Sequence, residues 1–127
     1  MAPTVVSREG KVVMVLGTPG GSRIPTAVLL TLLNVIDHGM SIQEAVDAPR
    51  FHHQAWPDST SLERFALGPD AQQRLSGMGH RFVDVAPANH LAAILVGAPS
   101  LEGRPVSGHR YYGANDPRRG TGLALGY

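Results

Sequence analysis

Gly17-Thr18-Pro19-Gly20-Gly21-Ser22-Arg23 is the stretch around which the rest of the chain is ordered. Residues 11–16 before it are apolar and rich in β-branched side chains, the composition of a strand. After it, Ile24 to Ile36 is almost wholly apolar and long enough for a buried helix. The stretch therefore reads as a glycine-rich turn from strand to helix. The first N–H groups of a helix have no intrahelical partner, and the helix dipole makes that end mildly positive. Two adjacent glycines let a ligand or another segment approach without Cβ interference. Such a turn can hold an anion, a phosphate or the oxyanion of an acyl-transfer transition state. For an arbitrary Pro-Gly-Gly-Ser, a tight turn whose glycines only shape the chain is the simpler reading. No Gly-Lys-Ser/Thr follows, so this is not a Walker loop, and Gly-x-Gly-x-x-Gly is absent.

Working outward, residues 3–6 read as a first strand that returns through Ser7-Arg8-Glu9-Gly10 into the second, a hairpin. Pro25 suits a first helical turn, where its missing N–H is not needed. The helix at 24–36 is apolar on all sides, which predicts packing on several faces, and His38-Gly39 closes it. Ser41-Ile42-Gln43-Glu44 is a capping box that opens a short helix ending by Ala48, before Pro49. Residues 49–58 read as irregular, 62–65 as a short strand and 69–78 as a helix. Residues 81–85 and 91–96 read as strands, the latter continuous and so buried. Residues 106–112 read as a last strand, followed by a glycine-rich tail. Hairpins flanking helices give an α+β layered fold rather than a doubly wound sheet.

With 127 residues, the chain fits one domain with a modest core. Charged residues make up 17% and the formal net charge is +1, with no basic run, so nucleic acid is not an expected partner. Cysteine is absent, which excludes disulfides and thiolate metal sites. The apolar stretch 24–36 is too short to span a bilayer. Met1-Ala2-Pro3-Thr4 lacks the charged head and apolar core of a signal peptide.

Chemistry-bearing residues are few. His52 and His53, adjacent on an extended segment, point to opposite faces, which is poor for shared ligation. His38, His80, His90 and His109 are scattered singles, so no metal is expected. Arg50 and the pair Arg118-Arg119 flank prolines, where an arginine fork can lock nearby backbone or a carboxylate. Ser22 lacks a local base and reads as a helix cap.

Three segments closely resemble the gamma-glutamyltransferases (gamma-glutamyltranspeptidases): Gly17 through Ile24, then Asn34-Val35-Ile36-Asp37-His38-Gly39-Met40-Ser41-Ile42-Gln43-Glu44-Ala45-Val46, then Ala48-Pro49-Arg50-Phe51-His52-His53-Gln54. Gly113-Ala114-Asn115-Asp116-Pro117-Arg118-Arg119-Gly120 and the closing Gly126-Tyr127 match as well. The resemblance spans nearly the whole chain in family order. It implies an N-terminal-nucleophile hydrolase with an αββα sandwich, made when a precursor cleaves itself into large and small subunits. The new N-terminal threonine attacks a gamma-glutamyl amide such as glutathione and passes the acyl group to water or to an amine. By the resemblance, this chain is a single partial domain, the C-terminal portion of the small subunit. The same resemblance implies that the backbone N–H groups of Gly20 and Gly21 form the oxyanion hole, and it implies no cofactor. The upstream part of the small subunit and the large subunit are the implied partners, and a periplasmic or extracellular location is implied.

Met1-Ala2-Pro3-Thr4 is similar to the family's Met-Ser-Pro-Thr, which follows a substrate-binding serine pair. By that match, the serines and the catalytic threonine lie upstream of Met1. Thr4, Thr18 and Thr26 are internal and lack a free amine to act as base, so the chain alone is expected to be inactive. Gln54-Ala55-Trp56-Pro57-Asp58 and Asn89-His90-Leu91-Ala92 depart from the family pattern and leave the acyl or acceptor preference open. An amide acylase of the same superfamily and a detached, non-catalytic binding module stand as alternatives.

Overall fold

A computed structural model describes residues 3–120 and 122–125. Met1, Ala2, Gly126 and Tyr127, which belong to the terminal matches above, lie outside the described residues. The elements follow in the order β1 (Thr4–Arg8), β2 (Lys11–Gly17), a 3-10 turn (Gly21–Arg23), α1 (Ile24–Ile36), α2 (Ile42–Asp47), β3 (Phe51–His52) and β4 (Thr60–Leu62). Then come α3 (Pro69–Gly77), β5 (Phe82–Asp84), β6 (Ala92–Val96), β7 (Tyr111–Asn115) and a second 3-10 turn (Pro117–Arg119). The fold is α+β, as the sequence predicts. The residues form two compact units, one running to Ala48 and resuming at Asn89, the other spanning Pro49–Ala88.

The first unit is built on a four-stranded antiparallel sheet in the order β1-β2-β6-β7. Its hairpin closes on Glu9 and Gly10, both at positive φ (53° and 75°), which matches the right-handed twist of the flanking strands. Pairing shifts between Val6 and Ser7, from Val6↔Met14 to Ser7↔Val12, so Val13 is the extra residue of a bulge. Alternation then sorts the side chains. Met14, Leu16, Ala93, Leu95 and Ala114 point to one face and cluster with Val28 and Val35 of α1 and Ile42, Ala45 and Val46 of α2. The opposite face carries Val5, Val15 and Ile94, respectively 62%, 37% and 45% exposed.

Two expectations change here. Residues 91–96 are continuously apolar, yet the strand is not buried on both faces: Ala93 and Leu95 are in the core while Ala92 and Ile94 are exposed. Helix α1 spans its expected residues, but it packs along Ala27, Val28, Thr31 and Val35 and leaves Leu29, Leu33 and Ile36 exposed. A stripe of small and β-branched residues, with Leu32 beside it, packs on the core, while Leu29, Leu33 and Ile36 face away.

The last strand is Tyr111–Asn115 rather than 106–112. His109 donates its N–H to the Val106 carbonyl at 3.0 Å, and the Val106 N–H donates to the Tyr112 hydroxyl at 2.8 Å. Those bonds close a turn, with Gly108 at φ 82°, where the sequence suggested a strand. The tail includes the second 3-10 turn, which Asp116 caps by accepting from the Arg118 N–H.

In the second unit, β3 is antiparallel to β4, and β4 is parallel to β5, with α3 between them in the chain. The segment 49–58 is thus not wholly irregular, since it contains β3. The expected strand at 62–65 lies earlier, at Thr60–Leu62, because the chain turns at Phe65 with φ 69°. The Glu63 carboxylate accepts from the N–H groups of Arg50 (3.0 Å) and Ala88 (3.4 Å), tying together the two ends of the unit.

Candidate functional site

Strand β2 is an interior strand, paired on one side with β1 and on the other with β6, so its end is held firmly. Beyond Gly17 the chain leaves the sheet. Thr18 is fully buried and its hydroxyl donates to the Pro19 carbonyl at 2.8 Å. Gly20 then adopts φ 138° and ψ 23°, and Gly21 φ 60°. The Gly20 angle strains any L side chain, so the turn requires glycine there, and the left-handed angle at Gly21 favours glycine. The Arg23 N–H donates to the Gly20 carbonyl at 3.2 Å, closing the 3-10 turn that leads into α1. Pro25 sits in the first turn of α1 as expected.

Gly20 and Gly21 are exposed. Among the described residues, neither N–H donates a hydrogen bond. Two adjacent amides next to the positive end of a 13-residue helix can therefore meet an anionic oxygen. Ser22 departs from its expected role: it lies within the 3-10 turn, and no side chain caps either that turn or α1.

Sequence reasoning missed Asn89. Its backbone is at φ 64°, and its carboxamide occupies the space that a Cβ on Gly20 would need. Asparagine tolerates this left-handed conformation better than most residues, but nothing local to Ala88-Asn89-His90 points back to Gly20. Asp116 stands before Pro117, a pair that favours a turn. It is 2% exposed and accepts the Leu91 N–H at 3.0 Å through one oxygen. The other oxygen accepts from the Arg118 guanidinium at 2.9 Å, and that guanidinium also donates to the carbonyls of Val46 (2.9 Å) and Ala48 (2.8 Å). Arg118 thus locks backbone and carboxylate together, as its setting predicts. The Arg119 side chain lies outside the described residues.

The histidines form no shared centre. His52 pairs with Gln54 at 3.0 Å and His53 with Asp58 at 3.3 Å. Hydrogen bonds from His53 and then Arg81 hold the exposed Asp58 carboxyl below its usual range. Among the described residues, no three His, Cys, Asp or Glu side chains gather as a metal site. No described helix is long and apolar enough to cross a membrane.

A profile of the family described as Gamma-glutamyltranspeptidase matches residues 1–126. A glutathione hydrolase proenzyme of Pseudomonas sp. (strain A14) is 66% identical over 127 residues, which is 100% of this chain and 22% of that protein. The glutathione hydrolase proenzyme of Escherichia coli K12 is 40% identical over 127 residues, again 100% of this chain and 20% of that protein. The crystal structure of the Helicobacter pylori gamma-glutamyltranspeptidase T380A mutant superposes with a TM-score of 0.80 at 44% identity, over 93% of this chain and 60% of that one. This chain spans about a fifth of the length of those curated relatives.

Proposed function

Because the chain belongs to the gamma-glutamyltranspeptidase family, we propose that it is the C-terminal portion of the small subunit of an enzyme that cleaves gamma-glutamyl amides such as glutathione. The observation that carries this reading is the Gly20-Gly21 pair: two exposed glycines whose N–H groups are committed to no acceptor among the described residues, where β2 ends and α1 begins. In the proposed mechanism an N-terminal threonine, lying upstream of Met1 in the complete protein, attacks the gamma-carbonyl carbon. Its free α-amine takes the hydroxyl proton. The carbonyl oxygen becomes anionic as the carbon turns tetrahedral, and the N–H groups of Gly20 and Gly21 donate to it. Donors fixed in advance stabilise that charge without reorganising during the reaction. The α-ammonium returns that proton to the leaving nitrogen as the intermediate collapses and expels the amine, and water or an acceptor amine then releases the glutamyl group from the threonine.

The exposed apolar residues on this sheet face support a larger assembly. Val5, Val15 and Ile94 make an apolar patch that a second layer of the complete protein would cover. The upstream part of the small subunit and the large subunit are the partners proposed for it.

The test is release of a chromogenic amine from a gamma-glutamyl anilide by the complete, processed protein. Turnover is expected there, absent when the upstream threonine is replaced by alanine, and absent from residues 1–127 alone. Sustained turnover by the highly purified chain alone would overturn the assignment of the nucleophile.

A further inference from the structure

We infer that Asn89 is a positioning residue for the Gly20-Gly21 turn, its carboxamide acting as a wedge that holds the two N–H groups in one orientation. The inference rests on the reading of those amides as oxyanion donors. Two consecutive glycines at φ 138° and 60° are the least restrained backbone a chain can have. Left alone, such a pair samples many orientations, and donors that must be ordered during the reaction lose their advantage. Something must therefore restrain the turn from outside, and Asn89 lies at the required place. A Cβ built on Gly20 would overlap the amide nitrogen, the carbonyl oxygen and the carbon of the Asn89 carboxamide. Nothing comparable lies against Gly21, where a Cβ would meet open space within 4 Å. The turn is thus backed on the Gly20 side and open on the Gly21 side, which is the arrangement a supported, ligand-facing turn requires.

Asn89 is itself held. Its φ of 64° puts the chain in a left-handed kink that asparagine accepts. Two residues on, the N–H of the buried Leu91 is bound by Asp116 at 3.0 Å, and the next residue enters β6, which pairs Gly17 with Ala92. The strand pairing therefore brings the residues just before β6 alongside those just after β2. The wedge and the turn it supports are both anchored to the same pair of strands.

The experiment uses the complete, processed enzyme with Asn89→Gly and Asn89→Asp. Asparagine to glycine keeps the left-handed backbone accessible and removes the wedge. Hydrogen–deuterium exchange of the peptide covering residues 17–24 is expected to quicken in Asn89→Gly without change in distant peptides. Turnover of a gamma-glutamyl anilide is expected to fall about tenfold with KM little altered, a share of what loss of a whole donor costs. Asn89→Asp preserves the shape of the side chain and is expected to keep wild-type exchange, which also covers the case in which the glycine variant folds poorly. Exchange unchanged in Asn89→Gly, or equally fast in Asn89→Asp, would overturn the wedge and leave the oxyanion reading standing. Faster exchange with unchanged turnover would instead remove the oxyanion role of the turn, and the positioning role with it.

Discussion

Asp116 binds the backbone N–H of Leu91 at 3.0 Å while both side chain and target are buried. This one contact ties the turn that follows β7 to the residues that enter β6. Its second oxygen binds Arg118, whose side chain is 6% exposed and reaches the carbonyls at the end of α2. Four segments meet at a single ion pair: the end of α2, the entry to β6, the end of β7 and the 3-10 turn after it.

Replacing Arg118 by alanine should therefore be costly. The change leaves a carboxylate buried without its cation and strips a donor from each of two helix-terminal carbonyls. Breaking a buried pair from one side typically costs about 3–5 kcal/mol. The expected outcome is a large drop in the denaturation midpoint of the complete protein. Arg118→Lys should recover only part of it, because one ammonium cannot span three acceptors as the planar fork does. A midpoint within a degree of wild type in Arg118→Ala would contradict this account.

The start of α2 gives a prediction with a pH sign. Ser41 accepts the Glu44 N–H, and the Glu44 carboxylate accepts from the Ser41 hydroxyl at 2.7 Å and its N–H at 2.8 Å. The hydroxyl bond first, and the N–H bond after it, hold the Glu44 carboxyl below its usual range. A carboxyl lowered in the folded state adds stability above its unfolded pKa and loses it as pH falls through the folded value. Wild type should thus exceed Glu44→Gln at pH 7, and the gap should close as pH drops below about 4. Ser41→Ala should cost about 1 kcal/mol. Thermal unfolding at pH 7 and pH 3 reads both effects, and a gap that widens in acid would refute the first.

The chain taken alone should associate. Val15 and Ile94 are register partners, and Val5 pairs with Val15 across the next strand, so three exposed apolar side chains form one row. On the other side, Leu29, Leu33 and Ile36 stay uncovered along α1. Contiguous apolar surface of this kind favours association in water. Light scattering of residues 1–127 should show species larger than a monomer. Val15→Lys with Ile94→Lys should reduce them, and the same pair should impair assembly of the complete protein. A monomer with a steep unfolding transition would show that the chain needs no cover on these faces.

Local signals in the sequence were strong where backbone chemistry is local. Pro25 at one end and Gly39 beyond the other bracket α1, and Ser41 with Glu44 opens α2, so these boundaries could be read from neighbouring residues. The failures come from contacts between distant residues. The continuous run 91–96 has the composition of a doubly buried strand, but burial depends on what covers the second face. The turn at Gly108 depends on Tyr112 supplying its hydroxyl to Val106. The same limit hid Asn89, whose relation to Gly20 exists only because β2 and β6 pair.

The last prediction concerns the Gly21 N–H in the complete enzyme. Ordinary substitutions cannot isolate it. Gly20→Ala would drive a methyl into the Asn89 carboxamide, and its φ of 138° strains any L side chain. Proline at 21 removes the donor, but it also demands φ near −65° where the backbone stands at 60°. An amide-to-ester replacement at Gly21, made by semisynthesis, removes the N–H and leaves side chains and chain direction in place. Losing one oxyanion donor typically costs about 100- to 1000-fold in turnover, roughly 3–4 kcal/mol. The loss should fall on kcat while KM changes little, because the donor strengthens its bond only as charge develops on the oxygen. Equal losses in affinity and none in kcat would mean that the amide holds the substrate rather than the transition state. Unchanged kinetics in a correctly folded ester would reduce the two glycines to shaping the turn between β2 and α1.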